Sequence, residues 1–182
     1  MIFLRKSNLE PLPVVMSSVR MGERALQIGI EDPSLAGAIA AKVGLSGHAA
    51  IAVGDDRAAA AARAAAASAG VLVDVQVTPL DSLPFAGDSF DAIVLHVTPG
   101  ALPSLEDAAG VAMLREGRRV LRAGGRVVII ERGQRRGIGA WLRTRPRLPR
   151  PGAAVDALVA AGFRAARPIA EREGYRFTEG IK

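Results

Sequence analysis

Cysteine is absent from this 182-residue chain, histidine occurs twice, and only three of the 24 cationic residues are lysines. Without a thiol there is no disulfide framework, zinc ribbon, iron–sulfur cluster or thiolate nucleophile. Two histidines leave little for a His-based metal centre, so any metal would have to be held by carboxylates. Aromatic residues are scarce, five Phe, one Tyr and one Trp, which weakens any reading in which RNA bases stack on aromatic rings. No apolar run approaches the ~20 residues of a membrane-spanning helix; the alanine run 58 to 67 is interrupted by Arg63. The amino-terminal MIFLRKSNLEPLPVV sets its apolar residues before its cations, the reverse of a secretory leader. A soluble cytoplasmic protein is the expectation.

Arginine is what the chain has in excess. The formal net charge is +6 and the isoelectric point about 10.9, a balance that invites a polyanionic partner. Its distribution changes that reading. Segment 132 to 150, RGQRRGIGAWLRTRPRLPR, holds seven arginines and no acid, and the rest of the chain has 17 cations against 18 anions, a net of −1. The excess therefore belongs to one loop or one surface.

Along the chain, short β-like runs alternate with helical ones, the pattern of a parallel sheet covered by helices. The runs predict strands at Ala25 to Gly29, Ala49 to Gly54, Val71 to Thr78, Ala92 to Val97 and Arg126 to Glu131, several almost continuously apolar, as in a sheet buried on both faces. Helices are expected at Pro33 to Val43, Arg57 to Ala69 and Leu105 to Leu121. The first has Asp32 at its N-cap and Pro33 at its first position; the third carries an apolar stripe from Leu105 through Met113 to Leu121 and ends at Ala123-Gly124-Gly125, where glycine suits a left-handed cap. A further helix at Gly152 to Ala161 precedes two strands, Ala165 to Arg172 and Tyr175 to Ile181, joined by a Glu173-Gly174 hairpin turn and hence antiparallel. One domain spanning 1–182 is expected, with an extension at 1–22 and an arginine-rich insertion at 132–151.

Four stretches, in order, carry a resemblance: RALQIGIEDPSLAGAIA, AIAVGDDRAAAAARAAA, LDSLPFAGDSFDAIVLH and EGRRVLRAGGRVVIIERG. Together they resemble the class I, Rossmann-like methyltransferases that use S-adenosylmethionine, in the small-molecule type related to quinone-biosynthesis methyltransferases. The resemblance covers roughly residues 20 to 132 and implies a doubly wound, mostly parallel seven-stranded sheet whose last strand is antiparallel. It implies S-adenosylmethionine as cofactor and methyl transfer to a small molecule as activity. The first turn departs from the family pattern of acid-apolar-Gly-x-Gly-x-Gly: Gln27 replaces the acid, Gly29 survives, and Glu31 and Pro33 replace the other two glycines.

That turn also speaks against a nucleotide cofactor. A pyrophosphate sits on a helix N-terminus, and Glu31 and Asp32 already place two carboxylates there. S-adenosylmethionine has no phosphate, and its ammonium and sulfonium tolerate acids. The resemblance and the placement of residues make Gly29, Ile30, Glu31, Asp55, Asp56, Leu80, Asp81 and His96 the candidate cofactor-binding set. Glu31 would meet the amino-acid end of the cofactor or face solvent. Asp55 and Asp56 end the second strand, where one would receive the ribose hydroxyls and either could cap the following helix. Leu80 to Leu83 would flank the adenine; the family's usual adenine-binding acid falls near Pro79, and Asp81 lies two residues on. His96, near the carboxyl end of the fourth strand, is the candidate general base, or else a hydrogen-bonding residue of the sheet end. The arginine segment reads as a solvated loop, as a lid over an anionic or amphipathic acceptor, or as a patch for RNA or an anionic membrane, with Ile138, Trp141 and Leu142 spaced as on a helix face. The alternative to an enzyme is a non-catalytic methyltransferase-like module that binds a protein or nucleic-acid partner through this segment.

Overall fold

The computed structural model describes residues 10–97, 102–132 and 150–182. Its elements in chain order are α1 (Leu12–Met16), β1 (Arg24–Ile28), α2 (Pro33–Ala41), β2 (His48–Val53), α3 (Asp56–Ala69), β3 (Asp74–Val77), β4 (Phe90–Val97), α4 (Ala108–Val120), β5 (Leu121–Arg132), α5 (Ala153–Ala160), β6 (Arg164–Arg172) and β7 (Tyr175–Ile181). The seven strands form one sheet in the order β3-β2-β1-β4-β5-β7-β6. Strands β1 to β5 pair in parallel, and β7 runs antiparallel to both β5 and β6, so the last strand alone is reversed, as the sequence predicts. Glu173 (φ 55°) and Gly174 (φ 78°) form the predicted hairpin turn between them.

The continuous apolar runs have their reason in this topology. On one face of the sheet Leu26, Ile28, Ile93, Leu95, Val127 and Ile129 pack with Met113 and Leu114 of α4 and Leu158 of α5. On the other, Ala25, Val94, Val128, Ile130 and Phe177 pack with Val14 of α1 and Leu35 and Ile39 of α2. With a helical layer on each side, alternate residues of a central strand are buried both ways, each large side chain contributing roughly 1.5–3 kcal/mol of burial. Because β1 lies between β2 and β4, the winding reverses there, and in open α/β sheets the carboxyl ends of strands at such a point are where ligands bind.

Four local details differ from the sequence reading, each for a physical reason. Helix α1 was not predicted; Pro11 is its N-cap and Pro13 lies in its first turn, where a missing N–H costs no hydrogen bond. Strand β3 starts at Asp74 instead of Val71, because Val71 N–H donates to Ala66 O to finish the C-terminus of α3 and Leu72 is left exposed. Helix α4 starts at Ala108 instead of Leu105. Residues 104 and 105 fold back against its first turn so closely that a Cβ on Gly110 would lie 2.1 Å from Ser104 O. At its other end α4 stops at Val120, and Leu121 already has extended backbone (ψ 134°) and is fully buried. Gly124 is left-handed (φ 72°), but inside β5, where its N–H donates to Lys182 O, and it is not the helix cap.

Candidate functional site

The predicted site residues fall at the carboxyl ends of four adjacent strands: Leu80 and Asp81 after β3, Asp55 and Asp56 after β2, Gly29 to Glu31 after β1, and His96 as the penultimate residue of β4. Strand β1 is followed directly by Gly29, whose φ of 73° favours glycine and whose N–H donates to Ala52 O at 2.9 Å. A Cβ there would lie 3.0 Å from both δ carbons of Leu102, which would have to shift by a few tenths of an ångström, so the backbone conformation is what calls for glycine. Ile30 packs into the cluster of Ile51, Val53 and Ala59 under α3.

Asp32 then takes the N-cap of α2. Its Oδ1 accepts from Ser34 N at 2.9 Å and from the Ser34 hydroxyl at 2.7 Å, with Leu35 N at 3.4 Å. These bonds, the Ser34 hydroxyl foremost, hold the Asp32 carboxyl below its ordinary range. The free donors with which a helix start would bind a phosphate are thus occupied by an internal carboxylate. Glu31, half-buried beside it, pairs with Arg132 Nη1 at 3.3 Å.

His96 does not stand alone at the end of β4. Its Nε2 lies 3.0 Å from Gln27 Oε1, and Gln27 Nε2 donates to Ala36 O at 2.8 Å. The amide nitrogen is fixed by the carbonyl of α2, so the amide oxygen faces the ring and must accept; Nε2 of the imidazole therefore carries the hydrogen. Burial lowers the His96 pKa to about 4, opposed only in part by Asp32. At neutral pH the ring is uncharged and almost wholly enclosed.

Asp55 caps α3, accepting from Ala58 N at 2.8 Å, while Asp56 occupies the first turn of the same helix and is exposed. The carboxylate with the freer oxygens is that of Asp56. Leu80 packs against the main core and Asp81 is exposed within a turn closed by Ser82 N–H donating to Pro79 O. That stretch is pinned from α4: Glu116 Oε1 accepts from Leu83 N, and Arg119 donates to Leu83 O and Phe85 O.

Two site features escaped the sequence reading. Glu131, at the end of β5, is buried and neither carboxylate oxygen has a hydrogen-bond partner among the described residues; burial raises its pKa, with Arg176 opposing and Glu171 adding to the rise. An acid closing the run RVVIIE was its only signal. The other is the fate of the arginine segment's ends: Arg132 meets Glu31, and Arg150 meets Asp156 at 2.5 Å and Glu106 at 3.8 Å. The remaining five arginines, with Ile138, Trp141 and Leu142, lie outside the described residues. No group of His, Asp and Glu among the described residues is arranged to hold a metal ion, and no helix among them is long and apolar enough to cross a membrane.

A family model described as a methyltransferase domain matches residues 34–129, more than half of the chain. The chain belongs to the methyltransferase-domain family. The first turn, with its substituted glycines, lies just outside the matched span. No curated protein sequence matches the chain. Among solved structures, a SAM-dependent methyltransferase from Aquifex aeolicus superposes with a TM-score of 0.70 at 16% identity, over 92% of this chain and 86% of that one. The YcgJ protein of Bacillus subtilis gives 0.64 at 17% identity, over 93% and 95%. A SAM-dependent methyltransferase from Methanosarcina mazei gives 0.62 at 18% identity, over 96% and 99%. At these identities the likeness is one of fold, and the fold is the seven-stranded one that the resemblance implied.

Proposed function

We propose that this methyltransferase-family chain binds S-adenosylmethionine at the carboxyl ends of β1 to β4 and methylates a small, anionic or amphipathic acceptor. The observation that carries the reading is the first turn: Asp32 fills the donors of α2 and Glu31 adds a second carboxylate, an arrangement that repels a phosphate and suits a cationic, phosphate-free ligand.

When bound, the cofactor supplies a sulfonium methyl group that is already activated, so the protein's part is alignment and exclusion of water. Gly29 gives the backbone its close approach, Ile30 backs the turn, and Glu31 takes the ammonium of the cofactor's amino-acid end. Asp56 is placed to accept from the ribose hydroxyls, since Asp55 is engaged as a cap. Leu80 and Asp81 flank the adenine. His96 lines the site in its neutral form; its Nε2–H is committed to Gln27 and its proton affinity is low, so proton abstraction by this ring contributes little at neutral pH.

Calorimetry and thermal-shift measurements with S-adenosylmethionine and S-adenosylhomocysteine test the reading. Saturable binding is expected, and absence of both heat and thermal shift at millimolar ligand would sink it.

A further inference from the structure

Two ion pairs tie the β5 strand to the β1 region, one at each end of the sheet, and they are built differently. At the amino end, Arg126 Nη2 meets Glu23 Oε2 at 2.5 Å, both side chains are only 14% exposed, and the guanidinium also donates to Ser18 O. It is a closed structural staple. At the carboxyl end, Arg132 and Glu31 stand 3.3 Å apart, with Arg132 41% and Glu31 15% exposed. This pair is looser and open to solvent on its arginine side, and Glu31 belongs to the turn that leaves β1.

Arg132 is nevertheless held in place. It lies opposite Tyr175 in the β5–β7 register, with its guanidinium 5.9 Å from the centre of that ring, close enough for a cation–π contact. Its charge is also felt by Asp32. Gln27, two residues before Gly29, has both amide groups engaged inside the fold and offers a ligand nothing. Among the described residues, the charges at this turn that are not taken up by the helix cap are therefore one carboxylate and one guanidinium, side by side.

Resting on the cofactor reading above, we infer that Glu31 and Arg132 together form a receptor for the zwitterionic amino-acid end of the cofactor, with Arg132 binding the α-carboxylate and Glu31 the α-ammonium. A partly exposed ion pair is worth only ~0–1 kcal/mol, so a ligand can open it at little cost. Each charge then exchanges one partner for another of the same sign, and the guanidinium fork gains a carboxylate it can bind with two N–H groups. Arg132 is thus a specificity-determining residue: it favours the complete cofactor over analogues that lack the carboxylate.

Three ligands separate the parts: S-adenosylhomocysteine, its decarboxylated analogue that keeps only the amine, and 5′-methylthioadenosine, which lacks the amino-acid end. Dissociation constants are measured by calorimetry for the wild type, Arg132→Gln and Glu31→Gln, with thermal unfolding checking that each variant is folded. The wild type should prefer S-adenosylhomocysteine to 5′-methylthioadenosine by tenfold or more, on the order of one charge-assisted bond. Arg132→Gln should weaken S-adenosylhomocysteine about tenfold and leave both analogues unchanged; Glu31→Gln should weaken S-adenosylhomocysteine and the amine about tenfold and leave 5′-methylthioadenosine unchanged. Equal effects on all three ligands, or none on any, would reduce the pair to a structural staple and overturn the inference while leaving the cofactor reading intact. A wild type that binds none of the three removes the cofactor reading and the inference with it.

Discussion

His96 Nε2 and Gln27 Oε1 lie 3.0 Å apart, joining the ends of β4 and β1 by a side-chain bond between residues 69 positions apart in the chain. The pairing follows from register. Gln27 is opposite Val94, so His96, two residues further along β4, projects from the same face of the sheet. Gln27 in turn holds Ala36 O of α2, and the three groups fix the corner where the first turn begins.

Acid should loosen this corner first. The folded-state pKa of His96, about 4, is depressed below the ordinary 6.5 by burial. Stability associated with the neutral ring is therefore fully present above pH 6.5 and is lost as the pH falls toward 4. Between about pH 7.5 and pH 4.5 the loss amounts to roughly 2 kcal/mol. His96→Gln keeps a donor for Gln27 and cannot titrate, so its urea midpoint should fall less over the same range. Equal slopes in the two proteins would mean that the acid sensitivity lies elsewhere.

The alternation of strands and helices along the chain and the cap of α2 were legible because they rest on local signals: apolar runs of strand length, and Asp32 followed by Pro33. Helix α1 was hidden by those same local rules, since Pro11 and Pro13 read as breakers, and only packing of Val14 in the core shows them to be a helix start. The site was legible as positions at strand ends but not as partners. That Gln27 would orient His96, or Arg132 meet Glu31 across 101 positions, depends on which strands become neighbours and on the face each residue occupies. Glu131 was unreadable for a related reason: whether an acid closing an apolar strand reaches water is decided by what covers it.

Glu131 should show the opposite pH dependence to His96. Its carboxyl pKa is raised above the ordinary 4.5, chiefly by burial, with Arg176 opposing and Glu171 adding to the rise. Stability is thus greatest while the group is protonated and is lost as the pH rises above 4.5. Glu131→Gln removes the buried charge and should stabilise the protein by ~1–3 kcal/mol near neutral pH. The gain should shrink toward about pH 4, and urea midpoints at the two pH values measure it. A variant less stable than the wild type at neutral pH would mean that the carboxylate is ionised and paired.

The adjacent acids after β2 make a sharper comparison, because the fold gives them different work. Asp55 accepts from Ala58 N at the start of α3, so Asp55→Ala should lower stability by ~1 kcal/mol, the usual cost of losing an N-cap. Asp56 is exposed at the first helical position, and Asp56→Ala should leave the unfolding free energy within about 0.5 kcal/mol. For S-adenosylhomocysteine the order should reverse. Loss of the ribose contact in Asp56→Ala should weaken binding by about tenfold, whereas Asp55→Ala should weaken it only as far as fraying of the helix start disturbs its neighbour. Unfolding and calorimetry on the same two variants decide it: if both effects fall on Asp55, the ribose-binding carboxylate is the capping one, and if neither variant changes affinity, the ribose is held elsewhere.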